Sequence, residues 1–235
     1  MHDLLLKGSQ QLGIPLTEEQ LSQMQEYARL LLEWNEKINL TAITKPDEVA
    51  TKHFLDSLTP ILTGKIKGSV IDVGTGAGFP GLVLKIACPE IRLTLLDSLN
   101  KRIRFLQEVI DKLGLSGVEC VHMRAEDAGA NHAWRGKFDV CVSRAVANMA
   151  SLSELCLPFV KQDGYFLALK GPLADEELAA SKKAVTILGG EVEDICSADI
   201  PFTDLSHKII MVKKVRQTPL QYPRKAGLPT KNPIG

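Results

Sequence analysis

Four glycines between an apolar segment and the start of a helix constrain the fold more than any other feature of the chain. Residues 70–81 read VIDVGTGAGFPG, with glycines at 74, 76, 78 and 81. Glycine adopts positive φ without steric cost and lets a ligand approach the backbone closely. Pro80 suits the first turn of a helix, where its missing N–H is not needed. The segment therefore predicts a strand, a glycine loop and a helix arranged around a nucleotide pocket.

Two classes of ligand use such a loop. Gly76, Gly78 and Gly81 satisfy the dinucleotide fingerprint, which places a pyrophosphate at the helix N-terminus. Asp72 stands ahead of these glycines, and its carboxylate would repel a pyrophosphate but attract an ammonium or a sulfonium. We therefore favour S-adenosylmethionine, bound by Asp72, Gly74, Gly76 and Gly78. A loop that makes only a tight turn is the alternative.

A second carboxylate follows the next predicted strand. Residues 92–97 read RLTLLD, and Asp97 lies 19 residues after Gly78. An acid at about this spacing ends the neighbouring parallel strand, where it can accept hydrogen bonds from both ribose hydroxyls. Asp97 is therefore a predicted cofactor contact, and an N-cap of the following helix is its alternative role.

Composition limits the class of protein. The 235 residues are 45% hydrophobic, enough for a sizeable core. No apolar run approaches the ~20 residues of a membrane span, and the first residues lack the layout of a signal peptide. The five cysteines are odd in number and form no C-x-x-C pair, which favours reduced packing residues over disulfides or metal ligands. We expect a cytoplasmic protein that uses no metal and no membrane.

The balanced net charge hides an asymmetry along the chain. From Lys208 onward there are seven basic residues and no acidic ones, so the rest of the chain is acidic overall. A basic tail on an acidic body indicates a polyanionic partner, although a solvated terminus would look the same. The segment YPRKAGLP at 222–229 is rigid and aromatic, which favours RNA binding through Arg216, Arg224 and Lys225.

Strands and helices alternate through the middle of the chain. Thr17 and Gln20 form a capping box for a helix that ends between 34 and 39, and a second helix spans 49–62. Strands are predicted at 69–73, 92–97, 118–123, 138–143, 164–170, 191–198 and 208–215, with helices at 80–87, 99–113, 148–157 and 173–188.

This order predicts an α/β fold with a doubly wound, mostly parallel seven-stranded sheet. The last two strands are joined without a helix, so the last strand should be antiparallel, as in class I (Rossmann-like) methyltransferases. We expect three parts: an N-terminal helical extension packed on the core (1–65), the cofactor-binding core (66–215) and the basic tail (216–235).

An ordered set of short segments extends nearly from end to end of the chain. They are residues 34–35, 39–43, 53–58, 72–81, 96–98 with 101–102, 124–126, 143–145 and 222–227. Together they resemble the RsmG (GidB) family, methyltransferases that act on a guanine N7 in 16S ribosomal RNA. One departure is visible: the family often has an arginine before the last strand, whereas residues 205–208 of this chain read LSHK, so no role of that arginine is carried over. The resemblance implies small-subunit RNA or the 30S particle as the partner, and a monomer.

The resemblance also assigns site residues. Gly74 and Phe79 would line the methionine end of the cofactor, Ala125 and Glu126 would meet the adenine, and Arg144 would lie at the pocket mouth. Without the family, Glu126 would be interpreted as a solvated acid. Arg144 could position the base or bind the cofactor carboxylate, with a salt bridge to Asp72 or Asp97 as the alternative.

His53 and Asp56 lie three residues apart on one helix face, where a structural hydrogen bond is favoured over catalysis. The catalytic residues themselves stay unassigned, because N7 carries a lone pair and no proton and so needs no general base.

Three functions from different classes stay open at this point. The favoured one is an S-adenosylmethionine-dependent rRNA (guanine-N7) methyltransferase that works by in-line displacement. The second is a nicotinamide-dependent oxidoreductase, which rests on the dinucleotide fingerprint alone and leaves the basic tail unexplained. The third is a ribosome-binding assembly factor whose cofactor pocket is vestigial.

Overall fold

A computed structural model describes residues 1–144 and 147–235. Seven strands form one sheet in the order β3-β2-β1-β4-β5-β7-β6. They are β1 (Ser69–Val73), β2 (Arg92–Asp97), β3 (Val118–His122), β4 (Phe138–Arg144), β5 (Val160–Lys170), β6 (Gly190–Asp199) and β7 (Ser206–Lys214). β1 to β5 run parallel to one another, and β7 pairs antiparallel with both β5 and β6. The predicted fold class is confirmed.

Ten α-helices are described: α1 (His2–Gln11), α2 (Glu18–Ile38), α3 (Pro46–Glu48), α4 (Asp56–Leu58), α5 (Gly81–Ala87), α6 (Asn100–Leu113), α7 (Ala125–Ala130), α8 (Met149–Cys156), α9 (Ala174–Ile187) and α10 (Leu228–Lys231). The Thr17 capping box is present, and α2 ends at Asn39, which takes the left-handed conformation. α1, α3, α7 and α10 are absent from the sequence prediction. Of the resembling segment 143–145, Ala145 lies outside the described residues.

The predicted helical segment over 49–62 is helical, but it is not one regular α-helix. Residues Val49–Leu55 form a π-helix, α4 is a single turn, and Thr59–Thr63 form a 3-10 helix. Thr51 Oγ donates to the carbonyl of Asp47 at 2.9 Å, and Pro60 offers no N–H. These local departures interrupt the regular hydrogen-bond pattern of an α-helix.

Two hydrophobic clusters cover the two faces of the sheet. One joins α1, α2 and the π-helix to α5, α6 and the strands, so residues 1–65 share a core with the sheet. The other contains α8, α9 and the opposite face of β4 and β5. The carboxyl ends of β1, β2 and β4 meet at one edge, where ligands bind in open α/β sheets. That edge carries the candidate site.

Candidate functional site

The glycine loop forms one wall of a cavity of roughly 500 Å³ at this edge. Gly74 and Gly76 line the cavity with φ of +71° and +60°. The N–H groups of Gly74 and Thr75 donate to the carbonyl of Leu96, which ties the loop to β2. A Cβ added at Gly76 would meet no atom closer than 3.9 Å. The loop therefore presents bare backbone to open space.

Asp72 lies beneath this loop and does not line the cavity. Its Oδ2 accepts hydrogen bonds from Thr75 Oγ1 at 2.7 Å and from the N–H of Gly81 at 2.8 Å. Its Oδ1 is buried without a hydrogen-bond partner in the described part of the chain. Burial raises the pKa of Asp72 to about 6. The carboxylate thus holds the loop, and its contact with a cofactor stays a prediction.

Gly78 also faces away from the cavity. A Cβ at this position would lie 2.4 Å from Tyr27 Oη and 2.7 Å from Leu82 Cδ1. Tyr27 is fully buried, and its hydroxyl donates to the carbonyl of Ala77. Gly78 therefore permits close packing between the loop and α2, and its contact with a cofactor stays a prediction.

Phe79 lines the cavity and lies in an aromatic stack. Its ring packs in parallel against Tyr27 at 5.2 Å and against the His53 imidazole at 4.7 Å between centroids. The Arg144 guanidinium lies 5.2 Å from the centre of the same ring. The Phe79 side chain thereby joins α2, the π-helix and β4 in the cavity wall.

Asp97 ends β2 and lines the cavity, as the spacing predicted. Its Oδ2 accepts from the N–H of Gly76 at 3.0 Å and from Arg102 Nη1 at 3.2 Å. Its Oδ1 accepts from the N–H of Leu99 at 2.9 Å. Leu99 is itself the N-cap of α6, so the alternative role of Asp97 as the N-cap is not observed. Two carboxylate oxygens offer about four acceptor sites, which leaves capacity for a ligand.

The far end of the cavity is lined by Ala125 and Glu126 at the start of α7. Glu126 is 7% exposed, so it is not a solvated acid. Its Oε1 accepts from the N–H of Gly227 at 2.8 Å. Although burial opposes it, this bond and the nearby Arg124 lower the pKa of Glu126. Thr230, from the C-terminal segment, lines the same cavity.

Arg144, at the end of β4, pairs with neither Asp72 nor Asp97. Its Nη1 donates to Asp56 Oδ2 at 2.8 Å, and Asp56 Oδ1 lies 2.6 Å from His207 Nδ1. One buried carboxylate therefore bonds both the Arg144 guanidinium and the His207 ring. Although burial raises it, the hydrogen bonds from His207 and Arg144 lower the pKa of Asp56 overall.

His53 completes this cluster as a neutral ring. Burial and the charge of Arg144 lower the pKa of His53 to about 4. Because Arg144 can only donate, His53 Nδ1 accepts from its Nη2 at 3.4 Å, and Nε2 carries the proton toward Thr41 Oγ1 at 2.8 Å. The structural hydrogen bond that the sequence favoured for this region is therefore present.

Much of the basic tail is bonded to the core, and the RNA contacts at Arg216, Arg224 and Lys225 stay predictions. Arg224 is bonded to the fully buried carboxylate of Glu154, and Arg216 Nη2 donates to the carbonyl of Thr186. Arg135 donates to the carbonyls of Thr218 and Tyr222, at 2.6 and 2.7 Å. Of the three predicted contacts, Lys225 is the residue left exposed without such a partner among the described contacts.

Several site residues are missing from the sequence prediction: Thr41, Tyr27, Arg102, His207 and Thr230. Two of them lie within segments that carry the family resemblance, Thr41 in 39–43 and Arg102 in 101–102, but no physical argument from sequence gives either a role. Tyr27 occupies a buried helical position that is indistinguishable from ordinary core. His207 and Thr230 reach the site by long-range packing, which leaves no local pattern in the sequence.

Comparison with known proteins defines first the fold and then the family. The solved structure of M. jannaschii TYW2 in complex with AdoMet is similar, with a TM-score of 0.53 and 13% identity over 68% of this chain and 77% of that one. The fold is that of class I methyltransferases. The family model GidB, rRNA small subunit methyltransferase G, matches residues 20–205.

Two relatives in other organisms match the sequence of this chain over almost their whole length. The ribosomal RNA small subunit methyltransferase G of Alkaliphilus oremlandii is 54% identical over 100% of this chain and 99% of its own. The protein of the same name in Alkaliphilus metalliredigens is 51% identical over 98% of both. The chain therefore belongs to the rRNA small subunit methyltransferase G (GidB) family.

Residues 1–144 and 147–235 contain neither a candidate membrane span nor a candidate metal centre. None of the helices there is both long and apolar enough to cross a bilayer. The same residues contain no cluster of three or more His, Cys, Asp or Glu side chains suited to a metal ion.

Proposed function

We propose that this protein transfers a methyl group from S-adenosylmethionine to N7 of a guanine in 16S ribosomal RNA. The observation that carries the proposal is one cavity lined by the bare glycine loop, Asp97 and Glu126, in a chain of the rRNA methyltransferase G family. We further propose that it acts as a cytoplasmic monomer on small-subunit RNA or on the 30S particle.

The residues present fit S-adenosylmethionine. Three of the about four acceptor sites on Asp97 are used, which leaves about one for a ribose hydroxyl. Ala125 and Glu126 line the same cavity and would meet the adenine, and Gly76 offers open space that a Cβ would occupy. The orphaned Oδ1 of Asp72 adds negative charge behind the loop, which favours a cationic ligand. Phe79 and Arg144 would flank the methionine end.

The same hydrogen bonds oppose the nicotinamide alternative. A pyrophosphate needs free N–H groups at the glycine loop and the helix N-terminus. Here the N–H of Gly76 donates to Asp97, and the N–H of Gly81 donates to Asp72. Two carboxylates therefore already occupy the groups that would bind phosphate, and their charge repels it.

The chemistry demands alignment more than acid or base catalysis. S-adenosylmethionine supplies an electrophilic methyl group on a sulfonium. Guanine N7 has a lone pair and no proton, and neutral His53 beside Arg144 is not required as a base. The residues around Phe79 would exclude water and orient the base, an effect worth up to ~7 to 11 kcal/mol in favourable cases.

Two measurements separate this proposal from its alternatives. Calorimetry should detect binding of S-adenosylmethionine and none of NAD; the reverse result would favour an oxidoreductase. Mass mapping of 16S RNA from cells with and without the protein should then show the loss of one 7-methylguanosine. Unchanged RNA modification together with tight particle binding would favour an assembly factor.

A further inference from the structure

A second cavity, of roughly 640 Å³, adjoins the first at the same edge of the sheet. It lies over the ends of β4, β5 and β7, whereas the first lies over the ends of β1, β2 and β3. His53 and Arg144 line both cavities. A group held in the second cavity would therefore meet a cofactor in the first across these two side chains.

Cationic donors and apolar side chains line the second cavity. Ile43, Leu169 and Leu205 supply apolar surface, and Lys52, Arg144 and His207 supply positive or protonated groups. The carboxylates in the lining are already paired, because Asp56 holds Arg144 and His207, and Glu177 holds Lys170 at 2.7 Å. The same pairs engage the cations, and Lys52 is bonded to Glu48 at 2.8 Å. A ligand would therefore meet the N–H groups that these bonds leave free, because a guanidinium has five and an ammonium three.

His207 is positioned to offer one ring nitrogen to this space. Its Nδ1 is bonded to Asp56, so Nε2 is the nitrogen that stays available. Asp56 also raises the pKa of His207, which favours the protonated ring with Nε2–H as a donor. Arg144 supplies further donors beside it, since a guanidinium has five N–H groups.

We propose that the second cavity receives the target guanine, unstacked from the RNA, and that His207 contacts its O6 edge. The inference rests on the proposed function and specifies its substrate site. N7 must face the first cavity, and the atom next to it on the same edge is O6, an acceptor in guanine. Adenine carries an amino donor there, so a donor-rich cavity rejects adenine. The apolar walls suit the faces of an unstacked base.

Gly171 provides a direct test by filling the cavity. It lines the second cavity, its φ is not positive, and a Cβ there meets no atom within 4 Å. Gly171→Phe should retain S-adenosylmethionine affinity while kcat/KM for methylation of 16S RNA falls at least 10-fold. Leu173→Phe adds the same ring two residues away at an exposed site outside the lining, and should behave like the wild type.

The outcomes distinguish the two proposals. Wild-type protein that methylates no 16S RNA would defeat the proposed function itself. If the wild type is active and a folded Gly171→Phe variant is fully active too, the second cavity is not the base site. The proposed methyltransferase function would still stand.

A second pair of variants decides the matter if Gly171→Phe unfolds in a thermal scan. His207→Leu should lower kcat/KM for RNA at least 10-fold at unchanged cofactor affinity, and His207→Arg, which keeps a cationic donor, should restore most of it. Equal activity of the Leu and Arg variants would remove His207 from the base site.

Discussion

Arg224 and Glu154, 70 residues apart, form a two-point ion pair: Nε lies 2.9 Å from Oε1 and Nη2 lies 2.6 Å from Oε2. The Glu154 side chain is fully buried in α8. The backbone N–H of Arg224 also donates to Oε1 at 2.8 Å. The pair thus anchors the C-terminal segment to the core, although the Arg224 side chain itself stays 26% exposed.

Removing the arginine side chain should therefore destabilise the fold. Arg224→Gln leaves a buried carboxylate without its cation, so the free energy of unfolding should fall by about 3 kcal/mol in urea titrations. Lys225→Gln, at the exposed neighbouring position, should change it by no more than about 0.5 kcal/mol. If Arg224→Gln unfolds like the wild type and instead lowers RNA affinity, Arg224 is an RNA contact after all.

Deletion of residues 222–235 should impair cofactor binding as well as stability. The deletion removes the Gly227 N–H that fixes Glu126 and the Thr230 side chain in the cavity wall. Calorimetry with S-adenosylmethionine should show weaker binding, alongside a lower melting temperature. A truncated protein that keeps full cofactor affinity and loses only RNA affinity would support a tail devoted to RNA.

The order and type of the sheet elements could be predicted because each strand carries a local signal. The apolar segments before Asp72 and Asp97, and Gly114 after α6, mark element ends directly in the sequence. The absence of a helix between the last two strands also fixed the direction of β7.

Long-range packing explains what could not be predicted. Gly8 in α1 looks like a helix breaker, yet a Cβ there would lie 2.3 Å from Leu55 Cδ1, so it permits close approach of two helices. Likewise, charge alone could not separate Arg224, which is bonded to Glu154, from Lys225, which is exposed. The sequence marks Asp72 as a candidate cofactor contact, but its burial under the loop depends on the fold.

Gly76→Val should abolish cofactor binding. The matched variant Gly64→Val separates loss of the binding surface from the effect of backbone strain. Both Gly76 and Gly64 have positive φ, +60° and +66°, and an added Cβ meets no close atom at either. Each substitution should therefore cost about 1 to 2 kcal/mol of stability from backbone strain. Gly64 lies outside the cavity lining, so Gly64→Val should bind S-adenosylmethionine normally in calorimetry. Equal affinity of both folded variants would exclude the loop from the binding site.

Asp72→Asn should stabilise the protein in a manner that depends on pH. Burial raises the pKa of Asp72 from 3.8 to about 6, so the folded state disfavours the charged form. In the wild type this penalty is absent below pH 4, grows as the pH rises toward 6, and reaches about 3 kcal/mol above it. Asparagine does not ionise and avoids the penalty. The gain in unfolding free energy of the variant over the wild type should therefore increase from pH 4 to pH 7.

Asp139 supplies the control for this titration. Although burial opposes it, hydrogen bonds from Lys161 and Ser69 lower the pKa of Asp139 to about 2. Its favourable contribution is therefore lost only as the pH falls below about 4, and the effect of Asp139→Asn should stay constant between pH 4 and 7. Urea titrations across this range measure both variants. A flat difference for Asp72→Asn would mean that Asp72 ionises normally beneath the glycine loop, and that its unpartnered oxygen reaches water or a cation in solution.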